Sequence, residues 1–174
     1  MLSKPIWALA LSVVAAALAG CAEGQKPGEP TFYRSMASAG AQLDASAAAS
    51  MISGYRANNG LPPVTLDPAL MSLAEAQARA MVERDRISHN TGGAAFIERL
   101  RRSGYDAKVA AENVSAGYHT LAEAFSGWRD SPPHRANMLL QGADRMGIAA
   151  IYAPGSKYKV FWTLIMAAPD DRRG

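Results

Sequence analysis

The 174-residue chain holds one cysteine, Cys21, so no disulfide can form within it. That excludes a disulfide-stapled scaffold, and a folded domain here must stand on its apolar core. Charge is sparse and nearly balanced, with 18 Lys and Arg against 15 Asp and Glu, a formal net charge of +3. So small an excess gives no reason to expect a nucleic-acid partner. No HExxH, CxxC, P-loop or GxSxG pattern occurs, and no internal repeat is evident. The first twenty residues, "MLSKPIWALALSVVAAALAG", contain an apolar run. It is about a dozen residues long, short of the ~20 that a membrane-spanning helix needs. With 49% hydrophobic residues the chain is too apolar to be disordered, and its length suits one globular domain with additions.

The N-terminus has the layout of a secretory signal: one positive charge at Lys4, an apolar stretch, and a small-residue exit. The exit reads "LAGC", and the lone cysteine falls on it. Leu18, Ala19, Gly20 and Cys21 resemble the bacterial lipobox. That resemblance implies cleavage before Cys21 and a diacylglycerol on its sulfur, which with further acylation holds a protein stably on a membrane. The competing reading is an ordinary secreted protein with an incidental cysteine, or an uncleaved anchor. Ala22 follows, where aspartate in Gram-negative lipoproteins often means retention at the inner membrane. An outer-membrane location is therefore expected if the cell has one. Removing residues 1–20 takes away Lys4 alone and lowers the formal charge to +2. Residues 21–42, rich in Gly, Pro, Ser and Ala, read as the lipidated cysteine and a flexible linker, although Phe32 and Tyr33 offer apolar side chains for docking. Residues 43–169 read as the domain, and 170–174 as a polar tail.

Within the domain, Leu43, Ala47, Ala48, Met51, Ile52 and Tyr55 form one helical stripe, stopped by "NNG" at 58–60 and by Pro62-Pro63. Asp67 and Pro68 open a second helix with the buried face Leu70, Leu73, Ala74, Ala78, Met81 and Val82, running to about Arg86. A third is expected over 94–102, ended by Gly104, with "ERLRR" (98–102) as a solvated face. Residues 109–117 read as a short extended piece or loop. Thr120 and Glu123 make a capping box for a helix through Trp128, and Ser131-Pro132 signals a further short helix or turn. "RMGIAAIYA" (145–153) and "YKVFWTLIMAA" (158–168) flank the turn sequence "PGSK" and predict an antiparallel hairpin. Helices followed by a hairpin predict an α+β domain with helices packed on an antiparallel sheet.

Three histidines are present, His89, His119 and His134, and all are expected in loops or at helix ends. Glu112 and Asp130 are the nearby carboxylates. Spacing alone gives only weak grounds for joining His89, Glu112 and His134 in one site. His119, just before the cap residue Thr120, reads as exposed loop. Trp128 and Trp162 read as core.

Four segments, in order, resemble the CAP superfamily, the SCP-like or pathogenesis-related domain, in its bacterial branch. They are "MISGYRANNGLPPVTLDPAL" (51–70), "ISHN" (87–90) with the helix before it, "AENV" (111–114), and "GWRDSPPHRANML" (127–139). The strand pair "MGIAAIY…YKVFWTLIMA" completes the pattern. The resemblance implies an α-β-α sandwich, a small antiparallel sheet between helices, with an open cleft of two histidines and one or two acids. On this sequence those are His89, Glu112 and His134. Many eukaryotic members carry another glutamate three residues after the tryptophan. Here that position is Ser131, and Ala111 replaces the usual glycine.

Two histidines and a glutamate are a known zinc ligand set, so His89, His134 and Glu112 are candidate ligands for Zn²⁺ or another divalent metal. Pro132-Pro133 stiffens the chain that presents His134. Asn113, Ser131 and Asn137 are candidate supporting residues, Ser131 chiefly as the cap before Pro132. Some related domains bind divalent metals, and others bind sterols or fatty acids in separate grooves. The expectation is a lipid-anchored binding module at the cell envelope, taking a metal, a small ligand, a lipid or an envelope protein. The alternatives are a metal-assisted hydrolase of an envelope peptide, ester or glycan, and a purely structural envelope protein.

Overall fold

A computed structural model of the chain describes residues 28 and 30–170. The expected signal peptide, the expected lipidation site Cys21 and residues 171–174 lie outside the described residues. Five helices and four strands follow in the order α1 (Ala45–Ala57), β1 (Thr65–Leu66), α2 (Pro68–Glu83), α3 (Phe96–Arg102), β2 (Ala107–Ala116), α4 (Leu121–Asp130), α5 (Pro132–Met138), β3 (Arg145–Ala153) and β4 (Lys159–Pro169).

The caps explain most of the helix boundaries. Asp67 Oδ1 accepts from the N–H groups of Ala69 and Leu70 at 2.8 and 3.0 Å, and Pro68 takes the first helical position of α2. Both arms of the α4 capping box form: Thr120 Oγ1 accepts from Glu123 N at 3.2 Å, and Glu123 Oε2 accepts from Thr120 N at 3.1 Å. Helix α2 stops at Glu83, three residues before Arg86, because Asp85 adopts a left-handed φ of 45° and turns the chain out. Ser131 precedes α5 as expected, but its side chain makes no capping hydrogen bond.

The sheet order is β1-β3-β4-β2. The β3–β4 hairpin pairs Arg145 with Ala167 through Ala153 with Lys159. The segment 109–117, expected as a short extended piece or loop, falls almost wholly within a longer element, the ten-residue strand Ala107–Ala116, which runs antiparallel to β4 at the edge of the sheet. The two-residue β1, absent from the sequence reading, pairs parallel with β3, so the sheet is mixed. Its residues pair at Thr65–Arg145 and Leu66–Met146, too few to leave an alternating pattern.

Alternation along the strands divides the core. Met146, Ile148, Trp162, Leu164 and Met166 pack with α1, α4 and Met138 of α5, whereas Ala149, Ile165 and Ala167 pack with α2 and Leu100 of α3. Helices thus cover both faces, which is the α-β-α sandwich. Trp128 and Trp162 are buried edge-to-face, centroids 6.4 Å apart, and Trp162 Nε1 donates to Tyr118 O at 2.8 Å. Gly147 lets α2 approach β3: a Cβ there would lie 2.2 Å from the backbone carbon and oxygen of Leu70.

The linker reading fails at its described end. Thr31–Tyr33 forms a 3-10 turn, and Thr31 Oγ1 donates to Asp44 Oδ2 at 2.8 Å. Met36 is buried and its N–H donates to His119 O at 2.6 Å, while Phe32, Ala37 and Ala41 pack on the core beside α1. Apolar burial at roughly 25 cal/mol per Å² holds this segment down despite its loop-like composition.

Arg56 is wholly buried in α1 without a carboxylate partner. Its guanidinium donates instead to the carbonyls of Pro62 (2.9 Å), Met138 (3.0 Å), Leu140 (3.0 Å) and Ala143 (2.7 Å). It thereby fastens the C-terminal end of α5 to α1. No helix among the described residues is long and apolar enough to cross a membrane.

Candidate functional site

The candidate residues gather at the edge strand β2. Glu112 pairs with Ile165 and points to the α2 side, and Asn113 pairs with Leu164 and points to the other. The cleft therefore wraps the sheet edge, with His89 approaching from one side and α5 from the other.

His89 lies beyond α2, in a loop tied back to that helix by Gln77. The Gln77 amide, buried on the otherwise apolar face of α2, donates to Ser88 O at 2.6 Å and accepts from the Thr91 hydroxyl. Ser88 Oγ accepts from Asn90 N at 3.0 Å. The ring of His89 then meets the acid: its Nδ1 is 2.9 Å from Glu112 Oε1. The Glu112 side chain is 1% exposed and that of His89 51%. A buried carboxylate accepts, so Nδ1 carries the proton and Nε2 is left facing outward.

Glu112 is also paired. One terminal nitrogen of Arg99, on α3, lies 3.0 Å from Oε1 and 2.7 Å from Oε2, and 3.2 Å from His89 O. The Arg99 side chain is only 15% exposed and its guanidinium sits over Phe96. This corrects the reading of 98–102 as one solvated face. Arg102 with Glu98 fits it, but Arg99, three residues from Phe96 and beside Leu100, turns inward. Gln77 and Arg99 were both missed. A polar residue on an apolar helix face, and an arginine flanking the buried positions of a short helix, were the available signals.

On the far side, Asn113 Nδ2 donates to His134 O at 2.9 Å, and Asn137 Nδ2 donates to Glu112 O (3.1 Å) and Asn113 Oδ1 (2.8 Å). The asparagines thus lash α5 to β2 and place His134 at the cleft. Burial pushes the His134 imidazole below its usual pKa, and nearby His89 pushes it the same way. Ser131 occupies the cap position of α5. His119 interacts through its backbone, its N–H donating to Glu123 Oε2 at 2.6 Å and its carbonyl accepting from Met36.

Among the described residues no group of three or more His, Cys, Asp or Glu side chains is arranged to hold a metal ion. The Glu112 carboxylate is, besides, largely committed. Three of the roughly four acceptor positions of the Glu112 carboxylate are already engaged by Arg99 and His89. His89, Glu112 and His134 do not fit a three-ligand metal site as they stand. What the arrangement offers is an imidazole held by a neutralised acid on one side of the sheet edge, and on α5 a second, partly buried imidazole whose pKa is lowered.

The chain resembles several bacterial proteins. Over 98 residues it is 29% identical to the uncharacterized protein YkwD of Bacillus subtilis, a match that covers 55% of this chain and 38% of that one. Among solved structures, an extracellular protein with an SCP domain from Bacillus anthracis superposes with a TM-score of 0.61 at 22% identity, over 70% of this chain and 39% of the other. An outer surface protein of Borrelia burgdorferi gives 0.66 at 18% identity, over 73% of this chain and 93% of the other. These likenesses carry the fold. The family profile described as the Cysteine-rich secretory protein family, or CAP, matches residues 49–166, which contain every residue of the cleft, and the chain belongs to that family.

Proposed function

We propose that the protein is a lipid-anchored, extracytoplasmic binding module that holds a polar ligand of the cell envelope in the cleft between His89 and His134. The observation that carries this reading is the 2.9 Å contact from His89 Nδ1 to Glu112 Oε1, with Glu112 itself buried and paired to Arg99. It fixes an imidazole with Nε2 free to accept a hydrogen bond, or to donate one when the ring is charged, while the acid stays committed inside. A general base needs a reacting group beside it, and a hydrolytic carboxylate needs access to water. Glu112 has neither freedom, so recognition fits the geometry better than hydrolysis. Extracellular and outer-surface proteins among the structural relatives support an envelope location. The lipid on Cys21, and an outer-membrane address in a Gram-negative cell, complete the proposal.

Two measurements test it. Cells fed radiolabelled palmitate should label the wild-type chain and not Cys21→Ser, and equal labelling removes the anchor. For the cleft, the full chain in detergent, with ¹³C-labelled histidine rings, is titrated with soluble glycan-peptide fragments of the cell wall. Saturable shifts of the His89 and His134 signals, with binding lost in His89→Ala/His134→Ala, are expected. Rings that stay still, or binding that survives the double substitution, overturn the cleft. Turnover of the fragments that stops in Glu112→Gln would establish the hydrolase instead.

A further inference from the structure

We infer that Arg99 is the positioning and specificity-determining residue of this cleft: it commits the Glu112 carboxylate to His89 and denies it to divalent cations. The inference rests on the reading that the His89–His134 cleft is the binding site. Its basis is that one guanidinium nitrogen touches three acceptors at once, both oxygens of Glu112 and the carbonyl of His89. The acid and the backbone of the residue it orients are therefore held by the same cation. Arg99 Nε, by contrast, is buried without a hydrogen-bond partner among the described residues, so the contacts to Glu112 and His89 are what hold the guanidinium here.

The consequence follows from charge. A buried carboxylate against an imidazole would attract a divalent cation, as carboxylate–histidine sets do. Arg99 supplies the compensating positive charge from inside the fold, so a second cation at Glu112 would have to displace a charge-assisted contact from a nearly dry site. With Arg99 in place the acid supports His89 and the cleft selects for hydrogen-bonding ligands. Without it, the same carboxylate swings free to coordinate.

The test uses the full chain in detergent and zinc chloride as the only added ligand. In the wild type, ¹³C-labelled at the glutamate carboxyl, the Glu112 signal should stay fixed as zinc is added, whatever the histidine rings do. A Glu112 shift that saturates with zinc overturns the inference, and this readout needs no variant to fold. Zinc affinities of the variants are read by calorimetry. Arg99→Leu should bind zinc about tenfold tighter or more, and adding Glu112→Gln to it should abolish the gain. A folded Arg99→Leu with no tighter binding also overturns it. If no cell-wall fragment moves the histidine signals, the binding module fails as a function, and the carboxyl signal still decides the role of Arg99.

Discussion

Arg56 and Met138, 82 positions apart, are joined by a 3.0 Å hydrogen bond from a buried guanidinium to a carbonyl at the end of α5. Three more carbonyls, of Pro62, Leu140 and Ala143, share the same side chain. Helix α5 carries His134, so the clamp that ends the helix also sets the cleft. Arg56→Ala leaves those carbonyls buried and unpaired, and is expected to destabilise the domain by about 4 kcal/mol. Urea denaturation checks it, and a loss below about 1 kcal/mol would show that water replaces the guanidinium without cost.

Glu112→Gln removes the partner of a largely buried arginine. A stability loss of about 3 kcal/mol is expected, because Arg99 keeps its charge in a site with little water. The His89 ring should also lose its fixed orientation, visible as averaged ring signals in NMR. A variant as stable as the wild type, with its His89 ring unmoved, would show that the pair carries little.

The His134 imidazole is held below its ordinary pKa of about 6.5, first by burial and then by His89. The unfolded chain therefore binds a proton there more readily than the folded one. The contribution of His134 to stability is complete above about pH 6.5 and is lost as pH falls through the lowered folded value. Denaturation midpoints should drop on acidification in that window, and His134→Gln should flatten that part of the curve. An unchanged slope in the variant would assign the acid sensitivity to other groups.

Gln77→Leu removes the amide that ties Ser88 and Thr91 to α2. The buried Thr91 hydroxyl then loses its acceptor, and a cost of about 2 kcal/mol is expected. Hydrogen exchange should speed up over residues 88–91 more than in the sheet. Equal protection in both proteins would mean that the loop is held by Arg99 alone.

Gly147→Ala places a methyl group against the backbone of Leu70 rather than against a side chain that can rotate away. Helix α2 must shift off β3, at about 3 kcal/mol. A Tm within error of the wild type would contradict this close approach.

The readable parts of the chain share one property: their signals are short in range. Asp67-Pro68, the Thr120–Glu123 box and the alternation of 145–153 each declare an element within a few residues, and each element lies where it was expected. The family was legible through four motifs in order, and its profile matches 49–166. Local composition misled where the partner was distant. Residues 31–41 look like a tether until Met36 meets His119 O, and 109–117 leave an extended piece and a loop both open until β4 pairs with them.

Sequence therefore sufficed for the helices and the hairpin, because caps, turns and apolar periods act between neighbours along the chain. It did not reach the state of Glu112. Whether that carboxylate is a free ligand or a committed one depends on Arg99, thirteen residues away and on another element. Two charges separated in the chain interact strongly only when folding brings them together and removes the water between them. That is why Arg99 read as a surface residue and stands in the interior.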